Sequence, residues 1–217
     1  MSIDDHWPLG LIKGMSIRIF ALSIFSLTVA CNLPAKSKLG EYYYGFGYSF
    51  IDDSSDLDRQ GNFLRLRAHG PNNEESDLGV VLDYGTVDLN GSDGSSLNIG
   101  IDLMVHFEDL TGPNSRIHPF VGFGLSYLDE ETPIRLAEDG FTWSLFFGSE
   151  LKVNNSLSAF CGAKIFGLWS EFATNDITLD LGLTWWIDNE HGVIFEYANY
   201  LDAELNQFTI KYLYCWQ

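Results

Sequence analysis

Histidines and acidic side chains are the residues of this sequence that could act as general bases or hold a metal ion. Four histidines follow the first thirty residues: His69, His106, His118 and His191. Each could accept a proton or ligate a metal, and three of them (69, 106 and 118) fall near predicted strand ends that meet at one end of the fold. We interpret them as hydrogen-bonding residues, with a metal centre as the alternative. Glycines recur within strands rather than at a strand-to-helix turn, so no phosphate loop is indicated. The sequence therefore predicts no catalytic residues, no metal and no cofactor.

A second set of ionisable side chains recurs at alternate positions, interleaved with glycine. The set comprises Arg65, Arg67, Asp83, Asp102, His106, Glu150, Lys164, Asp180, Glu196 and Lys211. Its four bases nearly balance its five carboxylates. Because an unpaired charge in an enclosed interior is very costly, we interpret the set as an ion-paired network rather than as catalytic carboxylates.

The charges lie on strands that are predicted from an alternation of apolar and polar residues with a period of two. From residue 41 onward, apolar and polar residues alternate between polar turns, which is typical of half-buried strands. We predict strands at 41–51, 62–69, 78–88, 95–107, 117–128, 141–152, 157–168, 177–187, 192–200 and 206–216. The fold class is therefore all-β: an antiparallel up-and-down transmembrane β-barrel of ten strands, or of eight if 62–69 and 192–200 are not strands.

The apolar faces of these strands decide between a soluble sandwich and a membrane barrel. They are wide, and aromatic residues lie near many strand ends, as a membrane-interface girdle requires. The last strand carries Phe208, Ile210, Tyr212, Tyr214 and Trp216 on one face. Such a strand fits the lipid-facing closing strand of a barrel better than the end of a soluble domain.

The N-terminal region is typical of a targeting signal. Lys13 and Arg18 precede a short apolar run over 19–30 that is too short to span a membrane as a helix. We predict a signal peptide over 1–30 (with Met15 as an alternative start), an N-terminal segment over 31–40 and the barrel over 41–217.

The three cysteines do not form a disulfide framework. Cys31 follows an imperfect lipobox and is a candidate for lipidation, with ordinary signal cleavage as the alternative. By alternation, Cys161 faces lipid and Cys215 faces the lumen, so we do not expect them to pair.

The chain has a formal net charge of −18. Such a surface repels nucleic acid, so we expect no nucleic-acid partner. Much of the acid lies in turns such as 52–58 and 129–131, which we interpret as solvated loops, with divalent-cation binding by these acidic outer loops as the alternative.

These features together resemble the small Gram-negative outer-membrane barrels of the OmpA, OmpX and OmpW type. The resemblance is carried by the signal peptide, the alternating strands, the glycine-rich first strand (Tyr42-Tyr-Tyr-Gly-Phe-Gly-Tyr48) and the aromatic last strand. It implies a location in the cell outer membrane, contact with its lipid, and insertion by the outer-membrane assembly machinery, which reads the last strand. The trailing Gln217 departs from the family, whose members usually end on the aromatic residue.

The expected function is non-enzymatic. Some small barrels of the omptin and PagL types are enzymes with a histidine towards the outer side, whereas the histidines here fall at the opposite end. We expect a narrow lumen plugged by charges, with a role in envelope structure or surface interaction carried by loops 52–61 and 129–140. The alternatives are a narrow porin-like channel for small solutes, and a secreted or lipid-anchored soluble barrel that binds an apolar ligand.

Overall fold

The structure is a computed structural model that describes residues 37–53, 59–107, 116–132, 134, 136, 139–171 and 175–216. The predictions about the signal peptide, Cys31 and Gln217 lie outside these residues. Within the part of the chain that the structure describes, no helix has the length and apolarity to span a membrane.

Ten strands make up the described fold. They are β1 (Tyr43–Asp53), β2 (Arg59–Asn73), β3 (Ser76–Leu89), β4 (Ser92–His106), β5 (Ile117–Glu130), β6 (Gly140–Asn154), β7 (Leu157–Leu168), β8 (Asn175–Trp186), β9 (His191–Tyr200) and β10 (Leu205–Cys215).

Each strand pairs antiparallel with the next one in the sequence, and β10 pairs with β1 to close the barrel. The predicted all-β closed antiparallel barrel of ten strands is confirmed, and the eight-strand alternative is wrong. Strand β2 is longer than the predicted strand at 62–69. Glycines and Pro71 interrupt the apolar pattern there, but the pairing with β3 continues through them.

The alternation of burial along the strands separates an apolar exterior from an interior filled by side chains. On β1, Tyr44, Phe46 and Tyr48 point outward and are 45–56% exposed, while the residues between them are buried. The same exterior continues round the other strands. An apolar outer surface with no free sheet edge is the arrangement that a spanning barrel requires.

The two ends of the barrel differ. We call the end beside Tyr43 and Cys215, where both termini of the barrel lie, the terminal end, and the end beside Asp53 and Leu205 the loop end. At the terminal end a buried apolar cluster joins Tyr43, Trp186, Ile194, Leu213 and Cys215. At the loop end a second cluster joins Ile51, Phe63, Val87, Ile134, Tyr200 and Leu205. The charged middle of the lumen lies between these clusters.

Candidate functional site: the charged lumen

Two arginines of β2 form ion pairs with carboxylates of the neighbouring strands. Arg65 and Asp83 are direct cross-strand partners, and Arg65 donates to both Asp83 oxygens at 2.9 and 3.0 Å. Arg67 reaches past β3 to Asp102 on β4, whose two oxygens both lie 2.8 Å from the same guanidinium nitrogen. The close approach of Asp102 to Gly79 leaves no room for a β-carbon there. The two ion pairs therefore link β2, β3 and β4 inside the lumen.

A third ion pair lies on the other side of the β1–β10 seam. The Lys211 ammonium lies 2.6 Å from the Glu196 carboxylate. On β7 and β8, Lys164 and Asp180 are diagonal neighbours on the luminal face. The Lys164 ammonium lies 5.0 Å from the Phe166 ring centre. Both Lys164 and Asp180 line the central cavity.

Glu150 belongs to a different cluster near the terminal end. It is fully buried, and its two oxygens accept hydrogen bonds from Ser158 of β7, at 2.6 Å, and from Ser37. The sequence predicts Glu150 in one network with Arg65 and Arg67, but its hydrogen bonds run instead to hydroxyl groups, because its side chain projects near the barrel mouth.

The terminal end also brings two of the predicted histidines to one carboxylate. Asp77 of β3 is fully buried, and its oxygens lie 3.7 Å from His69 Nε2 and 3.6 Å from His106 Nε2. His118 lies one strand away as the register partner of Glu150. No group of three or more histidine, cysteine or acidic side chains suited to a metal ion occurs among the described residues. His191 is placed separately, on the outer face, where its Nδ1 lies 2.6 Å from the Tyr212 hydroxyl.

The segment Ser37–Gly40, which we call the plug segment, closes this end from inside. Ser37 and Leu39 are buried, at 8% and 7% exposure. Ser37 donates to Glu150, and the Gly40 amide donates to the Asp77 carboxylate at 2.9 Å. The segment therefore contacts strands that lie on different sides of the lumen.

Lys38 is the charged residue of the plug segment. Its ammonium lies 3.7 Å from the centre of the Phe160 ring, over the ring face. Burial lowers the pKa of this ammonium, and the nearby carboxylates of Glu196 and Glu150 oppose that effect. A cation over an aromatic face is held by the quadrupole of the ring, more strongly where water is excluded.

Two residues of the β5–β6 connection lie in the mouth at the loop end. Ile134 and Leu136 are buried there, at 3% and 7% exposure, and Ile134 packs in the apolar cluster of the mouth. The Ile134 amide donates to Glu130. Loop 129–140 was predicted to carry surface specificity. Part of it points inward instead, because its apolar residues Ile134 and Leu136 are buried inside the mouth.

A cavity of about 290 Å³ remains in the lumen between the plug segment and Leu136. Its wall carries the three ion pairs described above, the free faces of several aromatic rings, and Lys38 with Leu39 from the plug segment. A space of this size holds about ten waters or one small solute. The arrangement supports ion pairing and solute accommodation.

The predicted closing strand lies on the exterior. Phe208, Ile210, Tyr212 and Tyr214 are 40–48% exposed, and Trp216 stacks on Tyr44 with ring centres 4.1 Å apart. The same strand register sends Cys215 inward, where it is buried, while Cys161 on β7 is exposed, and no disulfide joins the two.

Comparison with known proteins gives likenesses of fold. No known family model matches the chain, and no curated protein matches it in sequence. Among solved structures, the outer-membrane channel COG4313 from Pseudomonas putida F1 is 10% identical, with a TM-score of 0.49 over 84% of this chain and 98% of that one. The translocator domain of the autotransporter NalP from Neisseria meningitidis is 8% identical, with a TM-score of 0.47 over 95% of each chain. KdgM porin is 9% identical, with a TM-score of 0.44 over 80% of this chain and 99% of that one.

The likeness is therefore to small outer-membrane barrels in general. The finer resemblance to the OmpA, OmpX and OmpW type is not matched by any family model and stays a prediction.

Proposed function

We propose that this chain is a non-enzymatic barrel of the bacterial outer membrane that is closed at rest, with a role in envelope structure or surface interaction. The observation that carries the proposal is the filling of the lumen. The plug segment occupies the terminal end, Ile134 and Leu136 occupy the loop end, and ion pairs line the space between them.

The apolar exterior supports the membrane location. A water-soluble barrel that bound an apolar ligand would need its apolar residues inside, yet the exposed large side chains here are apolar on all ten strands or their flanking turns, and the lumen carries charges instead. The soluble alternative is therefore disfavoured. The orientation that fits short periplasmic turns places the terminal end in the periplasm.

The positions of the histidines support a non-enzymatic role. His69, His106, His118 and His191 all lie at the terminal end of their strands. A general base that serves the outer surface would have to lie at the loop end.

Single-channel recording of the purified full chain in planar bilayers tests the closed state. We expect no resolved conductance steps, whereas frequent steps in the wild-type protein would refute it. Fractionation tests the location, since we expect the protein with outer membranes and with different gel mobility when unheated. Recovery in the soluble periplasmic fraction without detergent would overturn the membrane assignment.

A second candidate function is a narrow channel for small solutes. The cavity of about 290 Å³ favours it, because a continuous path would need only the two ends to open. In that case the wild-type protein would conduct, and substitutions in the charged wall would alter its ion selectivity.

A further inference from the structure

We propose that the pocket that holds the Lys38 ammonium is a binding site for small organic cations, and that such a cation releases the plug segment. This inference rests on the proposed closed state, because release of the plug segment would open a barrel that is closed at rest. The cation meant here is a primary alkylammonium, the chemical equivalent of the lysine side-chain tip.

The pocket is built by one row of register partners across four strands. Glu150 on β6 pairs with Phe160 on β7, Phe160 pairs with Gly182 on β8, and Gly182 pairs with Glu196 on β9. All four positions face the lumen. The row thus places an aromatic ring between two carboxylates.

Gly182 fixes the position of the ring. A β-carbon at residue 182 would clash with two carbons of the Phe160 ring, so the ring lies directly over the glycine. This position leaves the other ring face open to the lumen, where the Lys38 ammonium lies 3.7 Å from the ring centre. A flat ring face between anionic groups is the environment that recognises alkylammonium ions.

The carboxylates beside the ring are already held in place. Ser158 and Ser37 donate to Glu150, and Lys211 forms an ion pair with Glu196 at 2.6 Å. Both carboxylates attract the Lys38 ammonium. The contact that the ammonium makes is with the face of the Phe160 ring. Lys38 therefore acts as a tethered cation in a preformed pocket, and a free cation competes with it.

The remaining contacts of the plug segment are few enough to be broken by that competition. Apart from the Lys38 contact, the segment is held mainly by the Ser37–Glu150 and Gly40–Asp77 hydrogen bonds and by burial of Leu39. The ladder between β1 and β10 begins at Tyr43, so the barrel closes without any residue of the segment. Release would remove Lys38 and Leu39 from the cavity wall. The high net negative charge of the chain, −18, would concentrate cations near the barrel.

Binding of n-butylammonium chloride to the detergent-solubilised full chain tests the site, with 1-butanol as the uncharged probe. We expect Lys38→Ala to bind n-butylammonium about tenfold more tightly than the wild type, because the tethered competitor is gone. Adding Phe160→Leu to that variant should weaken binding again by about tenfold. Lys152→Ala, which removes a lysine of β6 towards the same end, serves as the matched control and should bind as the wild type does.

Equal binding by the wild type, Lys38→Ala and Lys152→Ala would overturn the proposal, as would equal binding of 1-butanol. Because this binding is measured without any membrane current, its failure is distinct from failure of the closed state. A wild-type barrel that conducts would refute the closed state alone.

Release of the plug segment is tested separately with Ser37→Cys, at a position that is 8% exposed. We expect a charged maleimide to label this cysteine several times faster when n-butylammonium is present than with 1-butanol at the same concentration. Labelling at an unchanged rate, in a protein that binds the cation, would overturn the release step.

Discussion

Replacing Arg65 by methionine is the substitution whose effect follows most directly from the luminal contacts. Arg65 donates to both oxygens of Asp83, at 2.9 and 3.0 Å. The Asp83 side chain is 4% exposed and the Arg65 side chain 25%. Arg65→Met keeps roughly the length of the side chain but removes the guanidinium that pairs with the buried Asp83 carboxylate.

Removing one partner of a buried ion pair typically costs about 3–5 kcal/mol. Arg65 borders the central cavity, where water can reach Asp83 once the guanidinium is gone. We therefore expect a loss at the low end of this range, about 3 kcal/mol in the free energy of unfolding. This corresponds to about a hundredfold in the equilibrium constant.

The assay is equilibrium unfolding in urea of the protein refolded into lipid vesicles, followed by tryptophan fluorescence. The matched control is the double variant Arg65→Met/Asp83→Leu, which removes both charges and should recover to within about 1 kcal/mol of the wild type. A single variant with the wild-type midpoint would refute the ion-pair reasoning. So would a double variant as unstable as the single one.

Three further predictions concern the exterior and the loop end. Trp216→Ala removes the ring stacked on Tyr44 and should lower the free energy of unfolding by about 1 kcal/mol, measured in the same urea assay. Ile134→Asp places an unpaired charge among apolar residues, so the loop should leave the mouth and current steps that the wild type lacks should appear in planar bilayers. In vesicles, an uncharged maleimide should label Cys161, which is exposed on the outer face, faster than Cys215, which is buried, while a membrane-impermeant charged maleimide should label Cys161 poorly.

Each of these predictions has a control. Phe147→Ala removes a ring that is 55% exposed, and it should cost less than Trp216→Ala; an equal loss would contradict the role of stacking at the seam. Asp129→Asn changes an exposed residue next to the same loop and should leave the current unchanged, so equal currents in both variants would contradict the inward position of Ile134. Rapid labelling of Cys161 by the charged reagent would contradict burial of the outer face in lipid.

The barrel itself was predictable because side-chain alternation is a local property of a strand. Reading it along the chain separates outward residues such as Tyr44 from inward ones such as Arg65 without any knowledge of which strands pair. Consecutive antiparallel pairing then makes Arg65 and Asp83 neighbours, so their contact follows from the pattern. The strand ends were less predictable, since β2 continues to Asn73 through residues that break the alternation.

The two closures of the lumen were not predictable, because neither uses periodicity. The plug segment has no repeating pattern, and its contact between Lys38 and Phe160 joins residues far apart in the sequence. Ile134 lies in an acidic connection that resembles an ordinary solvated loop. Asp77 is at a strand end, where an acidic residue is usually exposed, and its approach to His69 and His106 depends on the register of three neighbouring strands. The signal that could have drawn attention to Ile134 is the pair of apolar residues Ile134 and Leu136 within an otherwise acidic connection.

The ladder between β1 and β10 has a consequence for how the protein reaches its structure. The other ladders join strands that are adjacent in the sequence, so each can form as a hairpin soon after its two strands are available. The β1–β10 ladder joins residues that are far apart in the sequence, such as Asp53 and Leu205, and such non-local pairing carries a larger loop-closure entropy and is slow. Until it forms, β1 and β10 each present an unpaired edge, which lipid cannot satisfy. Closure of this seam is therefore the step at which a partly folded chain is most exposed to pairing with another chain, and at which assistance during assembly has the greatest effect on yield.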